Sequence, residues 1–244
     1  MTRLSVNVNK VATLRNSRGK NMPNLLQTAL DLVRFGAHSI TVHPRPDGRH
    51  IRRDDVYALK EILPVELNVE GYPSADFIAM VLEVKPAQCT LVPDPPEALT
   101  SSAGWDLHEH REMLAQVCQV LRADGIRSSL FFDPYDFQPD TQVLLKTIAT
   151  DRVELYTEAY ADSFATDREK GVLSHYAEVG QHLWAAGFAI NAGHDLNQKN
   201  LSSFLEALPW TSEVSIGHAL VCEALYQGWE KTISAYLACL GAPV

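Results

Sequence analysis

Along the 244 residues, short β-like runs alternate with longer helical patterns eight times over. The runs are LSVNV (4–8), SITVH (39–43), VELNVE (65–70), QCTLV (88–92), IRSSLFF (126–132), RVELYT (152–157), FAIN (188–191) and EVSIG (213–217). Helical periodicity follows each of them, over 23–35, 53–62, 75–84, 107–123, 139–149, 167–186, 197–207 and 219–240. Gly36, Gly125 and Gly187 stop three of these patterns, as glycine does past a helix end. Parallel neighbours in a sheet need a long crossover, so regular strand–helix alternation implies a parallel sheet. Eight such units in a chain of this length match an α/β fold of the (β/α)8 TIM-barrel type with a few extra helices. A doubly wound open sheet is the alternative, but no GxGxxG follows the first strand. The proline-rich PDPPEALTSSAG (93–104) is too short for a linker and reads as a long βα loop, leaving one domain over 1–244.

Composition narrows the partners. The net charge is −9, which argues against a general binder of nucleic acid or anionic membrane. The charge is uneven, because residues 1–60 hold 11 Lys and Arg against 4 Asp and Glu. An acidic chain with a basic first quarter suits a small anionic ligand held there. Cys89, Cys118, Cys222 and Cys239 form no CxxC pair and read as small buried hydrophobes. No secretory h-region and no apolar run of about 18 residues is present, so a cytoplasmic protein without a membrane span is expected.

Barrel enzymes build their sites at the C-terminal strand ends. Polar residues cluster at those ends here. The first strand leads into Asn7, Asn9 and Lys10, then Arg15, Asn16 and Arg18. The second ends in His43, followed by Arg45, Arg49 and His50; the third carries Asn68 and Glu70. Thr100 follows the fourth, Glu154 and Tyr156 lie on the sixth, Asn191, Gly193, His194 and Asp195 end the seventh, and Gly217 and His218 end the eighth. Three histidines at strand ends suit proton exchange near neutral pH. Glu154 alternates with Val153 and Leu155, so it points into the barrel if they face the helices. There it needs a partner, such as an arginine, or a functional task. Gly193 and Gly217 fall in the units where barrels hold phosphate. Arg15, Arg18 and Arg45 offer a second anion site. His108 and His110 are two apart and cannot chelate from one helix face, so no metal is expected.

These residues carry a resemblance to the pyridoxine 5′-phosphate synthase (PdxJ) family. The matching stretches are VNVNKVATLRNSRG (6–19), ITVHPRPDGRHI (40–51), ELNVEG (66–71), the LVP…T loop (91–100), NAGHD (191–195) and SIGHAL (215–220), spread over essentially the whole chain. The resemblance implies an octameric barrel that condenses 3-amino-2-oxopropyl phosphate with 1-deoxy-D-xylulose 5-phosphate, giving pyridoxine 5′-phosphate, phosphate and water, with no cofactor. It implies His43 and Glu70 as proton acceptors, His194 as donor and Glu154 as a charge stabilising the transition state. Asn7, Arg18, Gly217 and His218 match contacts to the amino ketone, and Arg45, His50 and Thr100 contacts to the sugar phosphate. Asn9-Lys10 stands where the family often has Asp-His, and Asp195 where it often has Gly. Lys10 could meet phosphate or form a Schiff base; Asp195 could cap a helix or pair with Lys10. The rivals are a Lys10 Schiff-base aldolase or lyase and a non-catalytic paralogue that binds a B6 phosphate.

Overall fold

The eight expected strands all form, and each pairs in parallel with its neighbours until the last closes on the first. The computed structural model describes residues 1–94 and 103–241. The strands are β1 (Arg3–Asn7), β2 (Ser39–Val42), β3 (Glu66–Gly71), β4 (Gln88–Leu91), β5 (Arg127–Phe132), β6 (Arg152–Leu155), β7 (Ala189–Ala192) and β8 (Thr211–Ile216). A register irregularity at Ile190/Asn191 interrupts the β7–β8 ladder.

Alternation along the strands explains the closure. Leu4 and Val6, Ile40 and Val42, Leu67 and Val69, Cys89 and Leu91, Leu130 and Phe132, Val153 and Leu155, Ile190 and Ala192, and Val214 and Ile216 are all buried in the main core cluster with the helices. The positions between them, apart from Phe131 on β5, carry polar side chains, many of which meet inside the barrel. Ser5 bonds Thr41 at 2.7 Å, Asn68 donates to Thr41, and Thr90 donates to Asn68 at 3.1 Å. Nearer the N-terminal end, Arg3 and Arg127 both bind Glu66, at 2.9 and 2.8 Å. Arg152 donates to Asn191 at 3.0 Å, and Ser39 donates to Glu213 at 2.9 Å. Barrel interiors are usually filled by branched apolar side chains. This one is filled largely by a hydrogen-bonded polar column, since pairing offsets the cost of burying polar groups.

The helices are α1 (Asn9–Asn16), α2 (Leu25–Arg34), α3 (Arg53–Ile62), α4 (Ala75–Val84), α5 (Leu107–Ala123), α6 (Thr141–Ile148), α7 (Glu158–Ser163), α8 (Glu169–Ala185), α9 (Leu201–Ala207), α10 (His218–Gln227) and α11 (Trp229–Cys239). Asn24, Ser74 and Asp106 cap α2, α4 and α5 by accepting backbone N–H bonds, which satisfies donors the helix leaves open. Three features depart from the sequence reading. The stretch after β1 expected as a loop is the helix α1, and a further helix, α7, follows β6. The single helix expected over 219–240 is broken at Gly228, whose φ of +79° ends α10 and starts α11. Apolar periodicity runs across that break, so it is invisible as pattern. Among the described residues, no helix is long and apolar enough to cross a membrane.

The cysteines divide. Cys89 and Cys118 are buried as expected, whereas Cys222 is exposed and Cys239 half-buried. Cys222 lies on the outer side of α10, one turn from His218, where the helix faces solvent.

Candidate active site

The C-terminal strand ends open on a cavity of about 460 Å³. Of the residues matched to the family's site, with Asn9, Lys10 and Asp195 beside them, all except Arg18 and Thr100 line it: Asn7, Asn9, Lys10, His43, Arg45, His50, Glu70, Glu154, His194, Asp195, Gly217 and His218. Arg18 is exposed in the turn beyond α1, away from this lining, and Thr100 lies outside the described residues. Arg45 also lines an adjoining cavity of about 320 Å³ together with Asp94 and Tyr72.

Each side chain is set by the element that carries it. Asn9 opens α1, and its Oδ1 accepts the backbone N–H of His43 at 2.9 Å, so the asparagine fastens the end of β2. Asn7 accepts the Asn9 N–H at 3.0 Å and reaches Glu70 at 3.4 Å. His43 Nδ1 stands 4.0 Å from Glu70. Burial, with Arg45 and His50 next, drives the His43 imidazole down to about 3. His50 accepts the Ile51 N–H on Nδ1 at 2.9 Å; burial, then Arg45 and Lys10, lowers it to about 4. Both rings are therefore neutral at physiological pH. Arg45 is buried against Asp94 at 2.8 Å.

The acids behave oppositely. Burial first, then Glu154 and Asp94, raises Glu70 well above the usual carboxyl range. Burial first, then Glu213, raises Glu154 to about 7. His194 moves up: burial works to lower it, but the bonded Asp195 carboxylate, and beyond it Glu154 and Asp94, outweigh burial. The cavity thus holds two imidazoles pushed down, one pushed up and two carboxyls pushed up, a set spread in acidity as acid–base catalysis requires.

At the last strand, Gly217 turns directly into α10 without a side-chain cap, so the first backbone N–H groups of α10 face the cavity beside His218 and Ala219. A Cβ on Gly217 would lie 3.0 Å from that of Asn7, so the glycine lets β1 and β8 approach here. Open N–H groups and the positive helix end make an anion seat.

Several expectations are corrected. Arg15 does not serve an anion site: it is buried, bound to Asp55 at 2.6 Å, and it donates to the His50 carbonyl. Asn68 and Asn191 sit inside the barrel in the polar column instead of on the rim. Asp195 neither caps a helix nor pairs with Lys10, but binds His194 Nδ1 at 3.0 Å and is held by Thr157. Among the described residues Glu154 makes no ion pair with an arginine; Arg152 is taken by Asn191 and Glu213, and Glu154 Oε2 is buried without a hydrogen bond. Sequence reading also missed Glu158 and Asp162 of α7, and Phe131 and Ser215, all of which line the cavity. Strand alternation would have supplied Phe131 and Ser215. The six residues of α7 are too few to show a stripe.

Glu154 carries a stability prediction with a definite sign. Its carboxyl titrates near 4.5 when unfolded and at about 7 when folded. Between those values the folded state keeps a proton that the unfolded state releases, so this group's contribution is favourable below 4.5 and is lost as pH rises toward 7. Glu154→Gln removes the titration. Its stability relative to the parent should climb by on the order of 2–3 kcal/mol between pH 4.5 and 8. Urea unfolding at both pH values measures this, and a pH-independent difference would refute the burial account.

A closed parallel eight-stranded barrel with titratable side chains gathered on a cavity at its C-terminal strand ends defines the class of (β/α)8-barrel enzymes. Solved structures agree on the fold. Phosphoribosyl anthranilate isomerase from Thermotoga maritima superposes with a TM-score of 0.62 at 13% identity, covering 99% of each chain. 3-Keto-L-gulonate-6-phosphate decarboxylase from Vibrio cholerae does so at 0.65 and 10%, covering 98% of this chain and 97% of that one. At such identities the likeness is one of fold alone. The family model described as Pyridoxal phosphate biosynthesis protein PdxJ matches residues 4–242, and the chain belongs to this family. It is 51% identical over 242 residues to the pyridoxine 5′-phosphate synthase of Parabacteroides distasonis, covering 99% of this chain and 100% of the relative. The Porphyromonas gingivalis enzyme of the same name is 52% identical over 236 residues, covering 97% and 98%.

Proposed function

We infer that this enzyme is a pyridoxine 5′-phosphate synthase, like the relatives it matches across nearly their whole length. It joins 3-amino-2-oxopropyl phosphate to 1-deoxy-D-xylulose 5-phosphate and releases pyridoxine 5′-phosphate, inorganic phosphate and two waters. The observation that carries the mechanism is the gathering of His43, Glu70, Glu154 and His194 on one cavity beside the open end of α10. Imine formation, enolisation, dehydration and phosphate loss each move a proton, and such a set can both take and give one. His43, neutral and buried, is an acceptor. His194, held toward its charged form by Asp195, is the donor. Burial holds the Glu70 carboxyl toward its protonated form, and an ammonium-bearing substrate beside it would favour the carboxylate, making it the second acceptor. Glu154 offsets positive charge that develops in the ring-closing steps. The amino ketone phosphate belongs at Gly217, His218 and Asn7; the sugar phosphate belongs at Arg45, His50 and Thr100. Lys10 and Asn9 complete the wall between them.

Lys10 as a Schiff-base nucleophile is less well supported, since its side chain is exposed and such lysines are activated by desolvation. A pure binder would need no proton relay. The same reading takes residues 1–244 as one barrel domain, the protein as cytoplasmic and the assembly as an octamer. Exposed Leu225 and Tyr226 on α10 support association between copies. Incubation with both substrates, followed by absorbance and mass, should yield the pyridine product. No ring product at high enzyme concentration would defeat the reading, and borohydride trapping on Lys10 would replace it with the Schiff-base one.

A further inference from the structure

Asp195 is a carboxylate inside a cavity meant for phosphates, where it would repel a substrate, so its place calls for another task. We propose that Asp195 is a positioning residue: held by Thr157, it binds Nδ1 of His194 and keeps that imidazole oriented and protonated as the proton donor. This rests on the reading of His194 as donor given above.

The geometry is specific. Asp195 Oδ1 lies 3.0 Å from His194 Nδ1. Its own N–H donates to Thr157 Oγ1 at 3.1 Å, and that hydroxyl points back at Oδ2, 3.5 Å away. Thr157 is fully buried, so the anchor does not move with solvent. The rings of Phe131 and Tyr156 stand edge-on to the imidazole, at 6.2 and 5.9 Å between centroids, and limit its rotation. With Nδ1 committed to a carboxylate, the proton for the reacting group sits on Nε2. The neighbouring element ends contribute Glu154 from β6, Asp94 after β4 and His43 after β2, while Glu158 of α7 is tied to the Tyr156 hydroxyl at 2.6 Å. Lys10 and Arg45 line the same cavity. Among the described residues Asp195 is the carboxylate bonded to the ring, so its charge bears directly on how firmly the proton is held.

The test compares the full enzyme with Asp195→Asn and Asp195→Ala. The asparagine keeps an acceptor for Nδ1 but loses the charge. Turnover depends on protonated His194, so it falls as pH rises, and Asp195→Asn should bring that fall to lower pH. At pH 8.5 its kcat should drop roughly tenfold, and at pH 6 less than about threefold, with both KM values within about threefold. Asp195→Ala should lose turnover at every pH because orientation goes too. A second readout does not need turnover. Diethyl pyrocarbonate modifies neutral imidazole, so the pH midpoint for labelling His194, read by peptide mass, should fall in Asp195→Asn. An unmoved alkaline limb and unmoved labelling midpoint would overturn the proposal. So would a tenfold rise in KM with the pH profile intact, which would make Asp195 a substrate contact. If the parent enzyme forms no pyridine product yet the labelling midpoint shifts, the synthase reading fails while the Asp195–His194 coupling stands.

Discussion

Replacing His43 with asparagine should lower kcat by roughly 10²- to 10⁴-fold while both KM values stay within about threefold, the range a lost general base commands. The backbone reason for an intact site is that Asn9 grips the His43 N–H and not its ring, so the end of β2 keeps its place in the variant. The asparagine amide also leaves a polar group near Glu70, which stands 4.0 Å from Nδ1 in the parent. The phosphate positions proposed at α10 and Arg45 do not depend on the ring. What disappears is the basic nitrogen. Because burial and Arg45 hold the ring neutral down to about pH 3, it is ready to accept a proton throughout the working range, and no solvent group replaces it in a buried position. Steady-state kinetics decide the point: a KM that rises as kcat falls would make His43 a binding or structural residue.

Gly193→Ala should destabilise the fold by about 3–5 kcal/mol, combining a strained backbone with a steric overlap. Gly193 sits at φ +150°, just past β7, where an L side chain is disfavoured. A Cβ there would fall 2.1 Å from the carbonyl oxygen of Ser215 on β8. That neighbour is backbone, so no rotamer change relieves the clash, and β7 and β8 would have to part. The two strands carry His194 on one side and lead into the α10 anion seat on the other, so turnover should suffer in whatever fraction still folds. Urea denaturation measures the loss; a variant within 1 kcal/mol of the parent, about the effect of an ordinary substitution, would show the loop to be more pliable than its packing implies.

The two positions differ in how far the sequence announces them. His43 at the end of SITVH is legible because strand period and residue chemistry coincide there. The motif around Gly193 suggested a phosphate turn, but its close approach to Ser215 depends on two strands that are neighbours only once the barrel closes. The same holds for acid and base roles. Three histidines at strand ends are visible in the chain. That His43 is driven toward its neutral form and His194 toward its charged form follows from burial, with Arg45 and His50, at the one and from Asp195, against burial, at the other. Arg15 and Arg18 stand three residues apart and read alike in sequence, yet Arg15 turns inward to Asp55 at the start of α3 and Arg18 stays in solvent, a choice made by where folding puts that carboxylate.

The sequence by itself determined the number and order of strands, the parallel barrel and the end at which the polar residues gather. Those follow from local periodicity, glycine stops and alternation, which need no distant contact to be read. Only the tertiary structure decided which charges are spent inside the barrel and which remain for chemistry. Arg152 could have neutralised Glu154; it binds Asn191 and nears Glu213 instead, leaving Glu154 buried and titrating at about 7. The physical reason is that ion pairing and desolvation depend on distances of a few ångströms between strands far apart in the chain, and closure of the barrel sets those distances.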